Sequence, residues 1–222
     1  MREVDIKGRT MITILLADDH AIIRTGLKLF IANYVAHSVI DEAWDGVSAF
    51  EKIKANDYQL IVLDVNMPET DSMGLVSNIF SVKADANILM FSMNPEEIYA
   101  KKYLQLGVKG YLSKSAPEDE IRKAIDTVLS GKRYMSPAIS QSLVEDALGN
   151  KTNNPFEDLS PREFEIVLHL IKGETSSQIC EALNLQSSTV ATYKARLYTK
   201  LKCNNVIELN ELAKLFNIIP TA

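Results

Sequence analysis

Acidic, hydroxyl and cationic side chains follow the short apolar segments of the first half of the chain. Asp18 and Asp19 follow ITILLA, Asp64 follows LIVL, Ser92 ends ILMFS, and Lys114 ends GYLSK. Carboxylates held close together repel one another, so a group of three needs a cation, and oxygen ligands favour Mg²⁺. With a lysine and a hydroxyl beside it, such a group suits the transfer of a phosphoryl group to a carboxylate, with Asp64 as the nucleophile.

The elements that must position these side chains form an α/β pattern. Aliphatic runs without a polar face alternate with segments of helical periodicity, which is typical of a doubly wound parallel sheet. The ligand site of such a sheet lies beyond the carboxyl ends of its strands, where the polar residues stand. The sequence predicts strands at 11–17, 38–43, 60–64, 87–92 and 110–114, and helices at 20–33, 47–54, 95–106 and 117–130.

The bulk composition describes an ordinary globular protein. The 222 residues are 46% hydrophobic and 24% charged, with a net charge of -5, which fits one or two domains. The apolar run at 12–17 is too short to cross a bilayer and carries no signal-peptide pattern. Cys180, Cys203 and the three histidines, His20, His37 and His169, have no metal-binding spacing. We therefore expect free thiols, solvated or core histidines, and a cytoplasmic protein without a membrane partner.

The segments LLADDH, LIVLDVNMP, ILMFS and GVKGYLSK resemble the receiver domain of bacterial two-component response regulators over about residues 11–131. The resemblance implies a flavodoxin-like sheet of strand order 2-1-3-4-5 and phosphorylation of Asp64 by a sensor histidine kinase. It implies Mg²⁺ as the cofactor, held by Asp18, Asp19, Asp64 and the main-chain carbonyl of Asn66. It assigns the binding of the phosphoryl group and the conformational response to Ser92, Tyr111 and Lys114.

Two features depart from the receiver pattern. Five residues, ETDSM, separate Met-Pro from Gly-Leu where the family often has three, so the loop at 69–73 is longer beside the acceptor. Ser115 follows Lys114, where many receivers have proline. Haloacid-dehalogenase-type phosphatases also use an aspartate after a strand, but they need a second aspartate two residues later as general acid. Asn66 stands there and cannot act as an acid, so we do not expect a turnover enzyme.

The alternation of strand and helix patterns stops after Gly131. Residues 132–155 read as a linker with a short helix at 139–148, followed by a stretch rich in Gly, Asn and Thr. The residues after this linker predict a small all-helical domain, in which short turns separate the helices as in a helix-turn-helix motif. Its four helices are expected at 161–172, 176–184, 188–202 and 205–216.

The third of these helices has the properties of a DNA-reading helix. Residues 187–202 contain four Lys or Arg and no acid, although residues 156–222 as a whole carry a net charge of -1. Val190, Leu197 and Leu201 form an apolar stripe, with Tyr193 beside it, and small residues opposite the stripe would let the helix enter the major groove. The expected DNA-contacting residues are Ser188, Thr189, Ala191, Thr192, Lys194, Ala195, Arg196, Thr199, Lys200 and Lys202.

The segments LSPRE and STVATYKARLYTKL resemble the LuxR-type helix-turn-helix, and together with GKRYMSP they make the chain similar to the NarL/FixJ family. The resemblance implies a receiver domain at 10–131, a linker at 132–155 and a DNA-binding domain at 156–218. In that family lysine is frequent at the position of Ala191, and histidine at that of Tyr193. We therefore expect base reading to rely on Thr192, on Ala195 and on DNA shape.

The expected function is a transcriptional regulator that a histidine kinase switches by phosphorylating Asp64. Phosphorylation would promote a homodimer whose helix-turn-helix domains bind paired half-sites in double-stranded DNA, about 10 base pairs apart. Two alternatives remain open from the sequence. The receiver could act without phosphorylation, or the protein could signal through protein contacts and no longer bind DNA.

Overall fold

The computed structural model describes residues 11–68, 70–148, 154–183 and 185–218. It contains a five-stranded, wholly parallel sheet of order β2-β1-β3-β4-β5. This confirms the predicted order. The strands are β1 (Ile12–Ala17), β2 (Ser38–Ala43), β3 (Leu60–Leu63), β4 (Ile88–Ser92) and β5 (Gly110–Ser113).

Each strand of this sheet is followed by a helix. The helices are α1 (Ala21–Tyr34), α2 (Gly46–Ala55), α3 (Ser72–Val82), α4 (Glu96–Leu106) and α5 (Glu118–Leu129). Helix α3 was not among the helices expected from the sequence. It buries Met73, Leu75, Val76 and Ile79, and Asp71 caps its first turn by accepting a hydrogen bond from the Gly74 N–H at 2.8 Å.

The sheet is buried on both faces because successive side chains of each strand point to opposite sides. One face, which includes Leu16 and Val62, packs in a single hydrophobic cluster with Ile31 of α1 and Ile125 of α5. The side chains that alternate with them, such as Leu15 and Ile61, are equally buried on the opposite face. The four residues of β3 are at most 4% exposed, as their uninterrupted aliphatic character predicted.

Among the described residues after Ser136, all regular elements are helices, as predicted. They are α6 (Pro137–Ala147), a 3₁₀ turn (Pro155–Asp158), α7 (Pro161–Ile171), α8 (Ser176–Ala182), α9 (Ser187–Leu201) and α10 (Val206–Leu215). Ser160 and Thr175 begin α7 and α8 with capping boxes. Residues 149–153 of the expected linker lie outside the described residues. No helix in the described ranges is long and apolar enough to cross a membrane.

The described residues form two compact units. The first contains the chain up to Asn94 together with Leu106–Ser136, and the second contains Pro95–Gln105 together with the chain from Pro137 onward. Helix α4 therefore belongs to the second unit, although it lies inside the range expected for the receiver domain. The sheet itself, with all five strands, lies in the first unit.

Candidate functional site

Three of the residues singled out in the sequence follow directly after strands and continue the sheet hydrogen bonding. The Asp18 N–H donates to the Ala43 carbonyl at 3.1 Å, and the Asp64 N–H donates to the Ala17 carbonyl at 2.8 Å. The Lys114 N–H donates to the Ser92 carbonyl at 2.8 Å. Since these bonds fix the main chain of each residue, the sheet edge itself sets where the two carboxylates and the ammonium stand.

The ammonium of Lys114 bridges the two buried carboxylates. Its Nζ atom lies 2.8 Å from Oδ2 of Asp64 and 2.8 Å from Oδ2 of Asp18. The three side chains are at most 8% exposed, so water screens this interaction weakly. The Asp18 carboxylate also accepts a hydrogen bond from the His20 N–H at 2.8 Å. The predicted grouping of Asp18, Asp64 and Lys114 is therefore present as a charged triad.

The surroundings shift the protonation equilibria of this triad. Burial raises the pKa of Asp64, the hydrogen bond and charge of Lys114 oppose that rise, and the Asp18 charge adds to it. For Lys114, burial alone would lower the pKa, but the bonds to Asp18 and Asp64 outweigh it and raise the pKa. The lysine thus stays charged between two carboxylates, and the raised pKa makes the Asp64 carboxylate more basic than that of an exposed aspartate.

The residues at this edge fit a divalent metal ion. Asp18, Asp19, His20 and Asp64 each offer a ligand atom, and these atoms all lie within 4.8 Å of one another. The Oδ1 atom of Asp64 is buried and has no hydrogen-bond partner among the described residues. A buried carboxylate oxygen without a donor calls for a cation or an electrophile. The carboxylates match the oxygen ligands that Mg²⁺ prefers, whereas the role of the Asn66 carbonyl stays a prediction.

His20 is a member of this cluster that the sequence reading treated as an ordinary solvated or core histidine. Its Nδ1 atom lies 2.7 Å from Oδ1 of Asp19 and 3.4 Å from Oδ1 of Asp18. The signal was present in the sequence, because His20 follows the acidic pair directly at the N-terminal end of α1. Spacing alone did not indicate it, since its partners are the two preceding residues and not another histidine.

Asn94 connects the residues assigned to the switch. Its N–H donates to the Ser92 hydroxyl oxygen at 3.2 Å, and its carbonyl accepts from the Tyr111 hydroxyl at 3.1 Å. Its side chain forms a reciprocal amide pair with Asn66, with N–O distances of 3.1 and 3.2 Å. Ser92 and Tyr111 are 0% and 2% exposed. The contacts of Ser92, Tyr111 and Asn66 therefore converge on the residue that precedes Pro95.

The longer loop after Asp64 is anchored to the start of α2. Thr70 accepts a hydrogen bond from the Gly46 N–H at 3.0 Å and donates its own to the Pro68 carbonyl at 2.9 Å. A Cβ atom on Gly46 would come within 2.5 Å of the Thr70 methyl group, so the contact requires glycine. Glu69 lies outside the described residues. Thr70 therefore packs against the neighbouring β2–α2 connection.

A second candidate surface lies on α9. Val190, Leu197 and Leu201 are at most 4% exposed, which confirms the predicted apolar stripe. Thr189 and Lys194 are half-buried, and the other residues expected to contact DNA are exposed: Ser188, Ala191, Thr192, Ala195, Arg196, Thr199, Lys200 and Lys202. The hydroxyls of Thr192 and Thr199 donate to the carbonyls four residues earlier, each at 2.9 Å. Because these hydroxyls are committed within the helix, the methyl groups remain for outside contacts.

The cations of α9 divide into two classes. Lys200 donates to the Glu163 carboxylate at 2.7 Å and to the Asp158 carbonyl at 3.2 Å, and Lys194 donates to the Ser176 hydroxyl at 3.2 Å. The side chains of Arg196 and Lys202 have no hydrogen-bond or ion-pair partner in the described part of the chain. Lys194 and Lys200 are therefore paired within the second unit, whereas Arg196 and Lys202 have unpaired side chains among the described residues; contact of each of these cations with DNA stays a prediction.

Two protein-family models match the chain. The response regulator receiver domain matches residues 14–126, and the LuxR family of bacterial regulatory proteins matches residues 157–213. The first contains the acidic cluster, and the second contains α9.

Several known proteins are similar over nearly the whole chain. The response regulator UvrY of Escherichia coli O6:H1 is 35% identical over 204 residues, which cover 91% of this chain and 94% of UvrY. The oxygen regulatory protein NreC of Staphylococcus carnosus is 35% identical over 208 residues, with coverages of 90% and 95%. The structure of RcsB from Salmonella enterica, bound to promoter rprA with phosphomimetic BeF₃⁻, gives a TM-score of 0.76 at 20% identity and covers 92% of this chain and 99% of that one. At that identity, the likeness to RcsB shows the fold.

Proposed function

The chain belongs to the NarL/FixJ family of response regulators, which join a receiver domain to a LuxR-type DNA-binding domain, and we propose that phosphorylation of Asp64 controls its binding to DNA. Members of this family regulate transcription and are not turnover enzymes. The observation that carries the proposal is the state of the Asp64 carboxylate. One oxygen is held by Lys114 at 2.8 Å, and the other is buried without a partner among the described residues.

This arrangement supports nucleophilic attack by Asp64 on a phosphoryl group. The Oδ1 atom forms the new P–O bond while the P–N bond to a phosphohistidine of the kinase breaks, and the imidazole leaves with the bonding pair. Lys114 holds Oδ2, fixes the orientation of the carboxylate and neutralises charge on the transferred oxygens. Mg²⁺, held by Asp18, Asp19 and Asp64, would neutralise the remaining oxygens of the phosphoryl group.

The response is proposed to start at Ser92 and Tyr111. A phosphoryl group on Asp64 offers acceptor oxygens to the Ser92 hydroxyl, whose oxygen now accepts from Asn94 at 3.2 Å. Reorientation of Ser92 removes that partner from Asn94, which also holds Tyr111. The chain then dimerises and places α9 of each copy in the major groove of paired half-sites.

Intact-mass measurement after incubation with acetyl phosphate and Mg²⁺ tests the receiver half of this proposal. We expect the wild type to gain the mass of one phosphoryl group and Asp64→Asn to gain none. Asp85→Asn, an exposed aspartate, is the matched control and should behave like the wild type. A wild type that takes up no phosphoryl group would contradict the mechanism and favour a receiver that acts without phosphorylation.

Selection of DNA sequences from a random pool, with and without phosphorylation, tests the other half. We expect enrichment of paired half-sites and tighter binding by the phosphorylated protein, in which the dimer forms. Failure to enrich any sequence in either state would instead indicate a protein that signals through protein contacts.

A further inference from the structure

A side chain of α1 contacts the acidic turn between β1 and α1. The Nη1 atom of Arg24 donates to the main-chain carbonyl of Asp18 at 2.6 Å, and the Arg24 side chain is 15% exposed. Asp18 follows Ala17, the last residue of β1 that is paired with its neighbouring strands, so its carbonyl lies beyond the paired part of the sheet. A buried carbonyl needs a donor. Arg24, four residues after the N-cap His20, provides it.

The carbonyl of Asp18 also decides how the next residue leaves the turn. The peptide bond is planar, so the direction of the Asp18 carbonyl fixes the plane that leads to Asp19. The Asp18 N–H is held by the Ala43 carbonyl of β2 at 3.1 Å, and the Asp18 carboxylate by Lys114 at 2.8 Å. The bond from Arg24 therefore completes the fixing of Asp18 and sets the direction in which Asp19 continues.

Glu42 of β2 orients the guanidinium of Arg24. The Nε atom of Arg24 donates to Oε2 of Glu42 at 3.0 Å, and Oε1 of Glu42 accepts from Lys28, one turn later on α1. A planar guanidinium that is bonded through both Nε and Nη1 has its plane fixed. The hydrogen bonds from Lys28 and Arg24 hold the pKa of Glu42 below its usual value, against the opposing effect of burial. Glu42 therefore stays charged at neutral pH and keeps Arg24 aimed at Asp18.

Arg24 is close to the candidate metal site but cannot be a ligand. It lines a cavity of about 10 Å³ together with Asp18 and Asp64, so it borders the phospho-acceptor site directly. A guanidinium offers donors and no lone pair, so it cannot bind a metal ion. Its positive charge is compensated by Glu42, which limits its repulsion of a cation nearby. Any effect of Arg24 on a bound metal ion must therefore act through the geometry of Asp18 and Asp19.

Resting on the metal site of the proposed function, we propose that Arg24 is a positioning residue for Mg²⁺, which holds the Asp18–Asp19 peptide so that both carboxylates face the ion. Mg²⁺ requires nearly ideal octahedral geometry, so it tolerates a displaced ligand poorly. Ligands that are already fixed in place also lose less conformational freedom when the ion binds. Removing a residue that orients metal ligands typically costs about 10- to 100-fold in metal affinity. Arg24 therefore sets the Mg²⁺ concentration at which Asp64 can be phosphorylated.

Calorimetric titration of the full, unphosphorylated chain with Mg²⁺ tests this role. Arg24→Met keeps much of the apolar stem and should bind Mg²⁺ about tenfold more weakly than the wild type. Arg24→Gln is the sharper variant, because its amide nitrogen can take the place of Nε beside Glu42 but ends two bonds short of Nη1. It loses the Asp18 carbonyl alone and should also bind Mg²⁺ about tenfold more weakly. Lys28→Met is the matched control, since Lys28 shares Glu42 but does not contact Asp18, and it should bind Mg²⁺ like the wild type.

The Mg²⁺ dependence of phosphorylation by acetyl phosphate gives a second readout. In R24Q the Mg²⁺ concentration for half of the maximal rate should rise about tenfold. The maximal rate at saturating Mg²⁺ should stay close to that of the wild type, because Arg24 donates to Asp18 and Glu42 and not to Asp64. A role in general stability alone would lower the maximal rate and leave the Mg²⁺ dependence unchanged.

A folded R24Q whose affinity for Mg²⁺ equals that of the wild type would overturn the inference, as would a K28M that loses as much affinity as R24Q. If R24M does not fold, R24Q is judged by the same titration. The outcome is separable from the proposed function. A wild type that binds no Mg²⁺ refutes the proposed metal site, and one that binds Mg²⁺ but takes up no phosphoryl group refutes the proposed phosphorylation. The comparison of Mg²⁺ affinities between the wild type, R24Q and K28M reports on Arg24 alone.

Discussion

The Lys114 ammonium lies 2.8 Å from Oδ2 of Asp64 and is one of the most buried charges in the described residues of the first unit. It also binds Asp18 at the same distance, so a single lysine neutralises two carboxylates that would otherwise repel each other. Removing one partner from a buried charged network leaves the others uncompensated. Lys114 therefore supports the stability of the unphosphorylated receiver as well as its proposed chemistry.

We expect Lys114→Met to lower the free energy of unfolding at neutral pH by about 3 kcal/mol, because two buried carboxylates lose their cation. Mg²⁺ should restore part of this loss, since it binds the same carboxylates in the folded state only. Urea unfolding with and without Mg²⁺ measures both effects. Lys123→Met is the exposed control, and an equal loss in the two variants would argue against the network.

The anchoring of the long loop predicts an interaction between Gly46 and Thr70. Gly46→Ala introduces a Cβ atom within 2.5 Å of the Thr70 methyl group and should cost about 1–3 kcal/mol of stability. Thr70→Ala removes the obstructing atoms, so the double variant should be less destabilised than the sum of the two single variants. Denaturant unfolding of the four proteins gives the coupling energy, and strict additivity would show that the loop is not held here.

We expect Arg196 to contribute to the ionic-strength dependence of DNA binding. Its side chain is exposed and has no partner among the described residues, so it is available to a phosphate. Arg196→Gln should weaken binding to all sequences alike and make the log–log salt slope shallower by about 2 for a dimer. Binding titrations over a range of salt concentrations measure the slope. Lys123→Gln, which changes the charge of the chain equally, should leave the slope unaltered.

We expect Thr192 to determine part of the preference of the protein for particular DNA bases. Its hydroxyl is bonded within α9, so the methyl group is the part offered to a thymine methyl. Thr192→Ser deletes that methyl group and should reduce the preference for thymine at one position of each half-site by about 0.8 kcal/mol, roughly fourfold. Competition binding with base substitutions measures the effect, and Thr127→Ser, whose hydroxyl is bonded in the same way within α5, is the control. A selected site rich in G·C at the groove centre, with no effect of T192S, would exclude this mode of reading.

Lys102 predicts a pH dependence of stability. Burial lowers its pKa to about 8 from an ordinary value of 10.5, and the nearby Lys200 lowers it further, against the opposing effect of nearby acids. Between these two values the unfolded chain binds a proton that the folded chain has lost, so the free energy of unfolding rises with pH in that window. The charged groups around it are Lys101, Glu157, Asp158, Glu163 and Lys200.

Unfolding of the wild type and K102M at pH 7.5 and 9.5 isolates this contribution, because other titrating groups are common to both proteins. The free energy of unfolding of the wild type should increase relative to that of the variant as the pH rises, by up to roughly 3 kcal/mol between the two pKa values. If the difference in free energy of unfolding between the two proteins does not change with pH, folding does not lower the pKa of Lys102.

The sequence by itself determined the sheet and the residues at its edge. Short aliphatic runs such as LIVL favour strands buried on both faces, and parallel strands bring their carboxyl ends together, so Asp18, Asp64 and Lys114 were expected to meet. The periodicity of α9 likewise placed Val190 and Leu197 in the core. Both are local patterns of the sequence. For each of them, one physical rule is enough to predict where the residues lie in the fold.

Tertiary structure alone decided which partners the remaining side chains have. The pattern of α9 predicted that Lys200 contacts a phosphate of DNA. The folded chain adds a partner on another helix, because the Lys200 ammonium also binds the Glu163 carboxylate. Lys102 stands in the segment EEIYAKKYLQL, where lysines are expected to be exposed, yet it is buried against a carbonyl 57 residues away along the chain. Residue type and periodicity specify which face of an element is apolar. The acceptors that make burial of a charge tolerable come from distant segments, and only the folded chain brings them together.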